Sequence, residues 1–516
     1  MLSRLWRVKD IETLKREASA ESSNALKRTL KIKDLVALGI GAVIGSGIFV
    51  TAGLAAAGGG DYIAAGPAVM LSFIVVAVAC LFCVLCYAEF ASIVPAAGSA
   101  YTYAYATLGE YLAWLIAWNL ILEYGIGNVA VAISWSGYFG SICANLGFPL
   151  PEWAMYSYFA APPEVIAQAP HFLGIPIVCN LPAIGIILFL TAVIIKGMRE
   201  SATLNAILVV LKILIILLVI VMGMGHIDVQ NWVPFAPNGL AGIQAGAALV
   251  FFAYVGVDAI TAVAEETENP GRDLPLGMII TLVLCTLLYM AAAAVLTGMV
   301  PYTELGTAEP MATAFNMLHM PWVAAIISVG AMVSMAAVLL VFQIAQPRIF
   351  FVMARDGLLP QSFAAVHSEF RTPHLTILWT GILVALGAGF MDLGVVIDLC
   401  NIGTLFAFIL VCVGVLVLRY KMPEVRGKFR TPLVPWIPIA GVLTCLYLIA
   451  GMPVMTWVRF GLWMVVGSVI YFAYGYRHST LNNPLPQGEG APAEGESSSE
   501  TLESSSSLGA GEVEPA

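Results

Sequence analysis

Long apolar runs alternate with short polar stretches along most of the chain. A helix needs about 20 apolar residues to cross the hydrocarbon core of a bilayer. Runs of that kind fall at 35–57, 64–90, 111–143, 179–196, 202–225, 239–264, 275–300, 321–350, 374–391, 394–418, 433–453 and 457–475. The pattern predicts an all-α integral membrane protein with about twelve transmembrane helices, occupying residues 35–475. The flanks have another character. Residues 1–34 form a basic, polar N-terminal segment, and residues 476–516 are dominated by Ser, Glu, Gly and Pro with no apolar periodicity. The tail is expected to be disordered. The first apolar run, from Leu35, is too long and too rich in glycine to be the core of a cleaved signal peptide.

Composition agrees with a membrane solvent. Of 516 residues 60% are hydrophobic and 11% charged, against about 25% charged in an average soluble domain. A soluble chain with so few charges has too little polar surface to cover itself. The net charge of -9 says less than where the charges lie. Nine of the 23 Lys and Arg precede the first apolar run, and every second loop carries the others. These are Lys196 and Arg199, then Arg272, then Arg348, Arg355 and Arg371, then Arg419, Lys421, Arg426, Lys428 and Arg430, and last Arg477. Arg459 alone falls in an alternate loop, and Lys212 lies within a run. The bias of cytoplasmic loops toward basic residues places both termini in the cytoplasm. No basic patch asks for nucleic acid. Most of the nine cysteines sit in apolar runs, where small residues pack helix against helix. Cys80, Cys83 and Cys86 share helical spacing but have no histidine nearby, and no metal site is expected of them.

Two runs are interrupted. The first reads GIGAVIGSGIFVTAG, with Gly45, Ser46 and Gly47 at its centre. The sixth reads AALVFFAYVGVDAITAVAEE, with Ala253, Tyr254, Val255 and Gly256 near mid-depth. Glycine has little preference for helix and lets the backbone unwind. Open backbone in hydrocarbon is tolerated only where it lines a cavity or meets a ligand. Breaks in runs one and six occupy equivalent positions of two five-span halves, the pattern of an inverted-repeat transporter with a midplane site. Amides freed after the first break would meet a carboxylate, and carbonyls freed at both breaks would meet an ammonium. A zwitterion fits both ends, and Phe252 and Tyr254 stand ready either to cover it or simply to pack.

Ionisable groups inside a span are costly and mark function by default. Lys212 in NAILVVLKILIILLVI, Glu123 in WNLILEYGIG and Asp258 just beyond the sixth-run break are the candidates for binding and releasing protons. A structural ion pair is the alternative for each. Glu89 and Asp398 lie closer to span ends and are read as structural, while Glu265, Glu266 and Glu268 mark the cytoplasmic exit of the sixth run. There is no phosphate loop and no HExxH, and no nucleophile, base and orienting acid fall together. An enzyme is not expected, nor a cofactor.

These motifs carry a family likeness. Over residues 30–475 the chain resembles the amino acid–polyamine–organocation superfamily, in particular bacterial members related to cationic amino-acid transporters. The likeness rests on GIGAVIGSGIF, GPAVMLSF, CYAEFAS, AAGSAYTYAYATLGE, GMRES, FFAYVGVDAITAVAEETENPGRDLPLGMI and ARDGLLP. It implies a five-plus-five inverted repeat of the leucine-transporter type with two extra C-terminal helices. It implies that Ser46 and Gly47 bind a substrate carboxylate and that carbonyls of Val43, Phe252, Ala253 and Val255 hold the amino group. It further implies that Met335 lines the side-chain pocket, that Lys212 replaces a coupling cation against the first broken helix, and that Glu123 and Asp258 belong to the proton path. Gly45, Gly47 and Gly256 would be the breaking glycines. The chain departs from close bacterial relatives in the serine of GSG, and no acidic residue is evident to face the pocket from run eight. A neutral amino acid of small or moderate size is favoured. The expected partners are that amino acid, a proton and the lipid of a bacterial inner membrane, with a small membrane accessory subunit left open. Exchange of amino acids or amines is the alternative to proton symport; a transporter-like sensor would usually add an output domain.

Overall fold

The computed structural model describes residues 6–9, 30–59, 62–93, 99–196, 202–365 and 373–481. Most of the basic N-terminal segment, the tail beyond Leu481, and Arg199 and Arg371 lie outside them. In hydrocarbon a backbone must satisfy its own polar groups, and the fold is accordingly helical. In chain order the principal helices are α1 (Ile32–Val43), α2 (Ala52–Ala57), α3 (Val69–Ile93), α4 (Ser99–Thr107) and α5 (Glu110–Asn145). Then come α6 (Leu181–Ile195), α7 (Ala202–Met224), α8 (Gly239–Val250), α9 (Pro270–Met299) and α10 (Pro310–Met317). The last are α11 (Pro321–Arg355), α12 (His374–Phe390), α13 (Leu393–Lys421), α14 (Trp436–Ala450) and α15 (Val454–Ile470). A two-stranded antiparallel ribbon, β1 (His171–Phe172) with β2 (Ile175–Pro176), decorates the long α5–α6 connection.

Each apolar run of the sequence contains a helix. Among the described residues eight helical segments are long and apolar enough to cross a membrane, or nine when α1 and α2 count as one bent span. Three shorter apolar helices, α6, α12 and α14, accompany them. This is a multi-pass membrane protein. Burial separates centre from periphery. The most apolar part of α5 is 94% buried, against 17% for that of the Val454–His478 segment. α5 packs on α11 and α13 in the middle, whereas α15 turns Leu462, Val465 and Val469 outward. Such exposed aliphatic stripes need an apolar solvent.

One face of the bundle gathers ion pairs. Arg419 grips Glu89 through Nε at 2.7 Å and a terminal nitrogen at 3.1 Å, and the Thr431 amide donates to the same carboxylate at 2.9 Å. Lys9 reaches Asp356 at 3.7 Å and Lys31 reaches Glu268 at 3.8 Å. Backbone bonds from Leu30 N to Glu266 O and from Glu268 N to Leu30 O tie the start of α1 to the end of the sixth run. Asp398 accepts from Tyr62 and from Thr456. Glu89 and Asp398, read as structural from their places near span ends, are thus each held by partners within the bundle.

Candidate functional site

The helix of the first run stops at Val43, because Ile44 turns extended at ψ 100°. A π-helical turn over Gly47–Thr51 then leads into α2, and the two halves meet at 43°. In the sixth run α8 tightens into a 3-10 turn over Phe251–Tyr254. Val255 then goes extended and Gly256 adopts φ +99°, before a second 3-10 stretch over Val257–Glu266. A positive φ of that size favours glycine, which has no Cβ to clash.

The two breaks lie directly against each other. A Cβ on Gly47 would stand 2.3 Å from the Ala253 Cα, so the absent side chain lets two backbones touch. Gly256 in turn lies against Ala42, whose carbonyl oxygen would be 3.4 Å from a Cβ there. Between the breaks is a small, nearly closed cavity lined by Ala42, Val43, Gly45, Ser46, Gly47, Val131, Phe252, Val255, Val338 and Phe342. No lining residue is charged. The Ser46 hydroxyl is buried with no hydrogen-bond partner among the described residues, so it is available to a ligand.

The carbonyls freed at the end of α1 are met by side chains from three other helices. Lys212 Nζ on α7 donates to Gly41 O at 2.6 Å. The Tyr289 hydroxyl on α9 donates to Val43 O at 3.2 Å, and the Ser334 hydroxyl on α11 to Ile44 O at 3.2 Å. At the second break Asn401 on α13 donates to Ala248 O at 2.9 Å and Leu249 O at 3.3 Å. Lys212 is 2% exposed and its amine is set against the carbonyl end of the first broken helix, where the helix dipole is negative.

An amino acid permease family description matches residues 30–474. The chain belongs to that family. The permease is 45% identical to the methylthioribose transporter of Bacillus subtilis, over 93% of this chain and 100% of that protein. It is 44% identical to a branched-chain amino acid permease of the same organism, again over 93% and 100%. It is also 32% identical to the vacuolar cationic amino acid transporter 4 of Arabidopsis thaliana, over 90% and 94%. Its relatives are transporters and not enzymes, and amino-acid transport is the activity of its family.

Within the permease, Val43, Ser46, Gly47, Phe252 and Val255 share the cavity wall. Ala253 stands behind it, pressed on Gly47. Met335 is fully buried on α11 outside the lining, which α11 supplies through Val338 and Phe342. Tyr254 faces away from the cavity and donates to Phe73 O and Thr286. Glu123 and Asp258 are 1% and 2% exposed and close enough to act on each other electrostatically. Sequence reasoning missed Val131, Val338, Phe342, Tyr289 and Ser334. A hydroxyl inside an apolar run was the one visible sign for Ser334; the aliphatic residues carried no sign, because any core position looks the same.

Proposed function

We propose that this permease is a secondary active transporter that carries an L-amino acid with a neutral, apolar side chain together with a proton. The observation that carries the reading is the bond from Lys212 Nζ to Gly41 O. A buried ammonium on the broken helix supplies a charge that a proton can add or remove, in place of a bound metal cation. The substrate carboxylate lies at Ser46 and the amides that open the Gly47–Thr51 turn, where the helix end is positive. The ammonium lies at carbonyls of Val43 and of the second break. Val131, Val338 and Phe342 form an uncharged wall for the side chain, which suits the branched-chain permease among the relatives better than the cationic transporters. Glu123 and Asp258 take up and pass on the coupled proton. Twelve spans in two inverted five-span halves plus two, both termini in the cytoplasm and residence in the cytoplasmic (inner) membrane complete the reading. Alternating access then moves the two broken spans against the rest.

The test is uptake into proteoliposomes with and without an inward proton gradient, for wild type and Lys212→Ala. The panel is L-leucine, L-isoleucine, L-valine, L-lysine and methylthioribose. Gradient-stimulated uptake of the branched-chain amino acids, lost in Lys212→Ala, is the expected result. Uptake that ignores the gradient and needs internal amino acid would replace symport with exchange. Transport of methylthioribose alone would overturn the amino-acid substrate.

A further inference from the structure

Five buried tyrosines near the broken spans divide into two classes. Tyr138, Tyr254 and Tyr289 each donate to a backbone carbonyl, of Phe49, Phe73 and Val43 respectively. Tyr87 and Tyr103 are 1% exposed, yet neither hydroxyl meets hydrogen-bond geometry with a partner among the described residues, the Thr261 side chain being the polar neighbour of Tyr103. One oxygen each of Glu123 and Asp258 is buried and unpartnered in the same way. An isolated orphan hydroxyl in an apolar interior costs about 1–3 kcal/mol. Four such groups in one neighbourhood point to something that satisfies them.

They form a sequence in depth. Tyr103 lies on α4, beside Tyr105, whose carbonyl accepts from the Lys9 amide, and so near the basic face. Its ring stacks on Phe90 with centroids 5.3 Å apart. Phe90 and Tyr87 are three residues apart on α3 and so share one side of that helix. Tyr87 lies about 9 Å inward from the Ile93 end of α3, at 1.5 Å per residue. Glu123 lies about 20 Å inward from the Glu110 end of α5 on the same measure. Tyr87 is within electrostatic reach of both Asp258 and Glu123, and Tyr103 of Asp258. The order from mid-depth to the basic face is therefore Glu123 and Asp258, then Tyr87, then Tyr103.

We infer that Tyr87 and Tyr103 line a narrow hydrated path that carries the coupled proton from Glu123 and Asp258 to the cytoplasmic face. The inference rests on the proposed role of those two carboxyls. A phenol is donor and acceptor at once. A proton taken onto its oxygen from a water on one side is matched by release of its own proton to a water on the other, so the side chain ends unchanged. Buried water settles where several polar groups converge, and polar groups within membrane spans face such water. Phenylalanine keeps the ring, its stacking on Phe90 and the helix packing, and removes only the relay.

The experiment compares wild type, Tyr87→Phe, Tyr103→Phe and the double variant in proteoliposomes, with two transport readings. One is net uptake of L-leucine driven by a proton gradient, with internal pH followed by a trapped dye. The other is exchange of labelled for unlabelled L-leucine at equal concentration on both sides, in which the loaded carrier need not release its proton. Net uptake and its proton influx are expected to fall about tenfold or more in the double variant, with exchange within about twofold of wild type. Hydroxyl-radical labelling of the wild type gives an independent reading. Tyr87 and Tyr103 are expected to be modified faster than the equally buried Tyr289. Unchanged net uptake, an equal fall in both transport readings, or labelling no faster than Tyr289 would each overturn the path. A wild type indifferent to the gradient would remove symport itself, and faster labelling there would leave a wet crevice with no proton to carry.

Discussion

The two breaks use the same residue type for different physical reasons. At the first, glycine is demanded by contact, since any side chain on Gly47 would enter the Ala253 backbone. At the second, it is demanded by conformation, since Gly256 has φ +99° while the nearest atoms leave ordinary contact distance for a Cβ. Their freed carbonyls are also handled differently. Those of α1 receive donors from α7, α9 and α11, so the first break is tethered to three helices. Those at the end of α8 receive Asn401, the one side-chain donor to them among the described residues, and the chain then tightens into 3-10 turns. The first break is thus tied into the bundle by three helices, and the second is a local bend with fewer outside ties among the described residues.

Substitution breaks this comparison in graded steps. Gly47→Ala should have the largest effect. Overpacking of a tight contact costs about 1–3 kcal/mol, here against backbone that cannot rotate away, so uptake should drop to background and the melting temperature should fall. Gly256→Ala carries only the left-handed penalty of about 1–2 kcal/mol. It should lower the melting temperature less and leave uptake reduced but measurable. Equal loss from both would mean that the two glycines answer one constraint. Ser334→Ala removes one tether from Ile44 O at a cost of about 0.5–1.5 kcal/mol. It should raise the KM for uptake with little change in maximal rate; an unchanged KM would show that this donor does not position the first break.

A last effect, read from its pH dependence and not from a lost contact, concerns the segment that packs on α2. Pro310 at the start of α10 packs on Gly53 of α2. Burial pushes the adjacent Glu309 carboxyl up from its ordinary value to about 7. The folded protein therefore binds this proton more tightly than the unfolded chain, and the resulting stability is complete below about pH 4.5. It declines as the pH rises toward 7, where the folded protein must ionise a buried acid. The melting temperature of wild type should fall over that interval more than that of Glu309→Gln. Parallel curves for the two proteins would assign the pH dependence elsewhere.

Some of this was legible in the amino acids and some was not. The helices were, because about 20 apolar residues in a row have few other solutions in a bilayer. The breaks were also legible: Gly45, Ser46 and Gly47 bracket the interruption in one run, and Val255 and Gly256 form that in the other. Lys212, Glu123 and Asp258 stood out because a charge in an apolar run costs free energy. The partners of these groups were hidden. Nothing in an α9 sequence of apolar and small residues marks Tyr289 as the donor to Val43 O. Val131 and Phe342 are indistinguishable from other buried apolar residues of α5 and α11 until the helices are packed.

The sequence by itself determined which stretches form apolar helices, where two of them break and which charges lie within, since each follows from local transfer and backbone energies. Only the tertiary structure decided that the breaks touch, that Lys212 lands on Gly41 O, and that α11 lines the cavity through Val338 and Phe342 and not through Met335. Those facts depend on the rotation and register of one helix against another. In an apolar solvent the hydrophobic pattern constrains rotation weakly, and close packing of small residues with a few buried hydrogen bonds decides it.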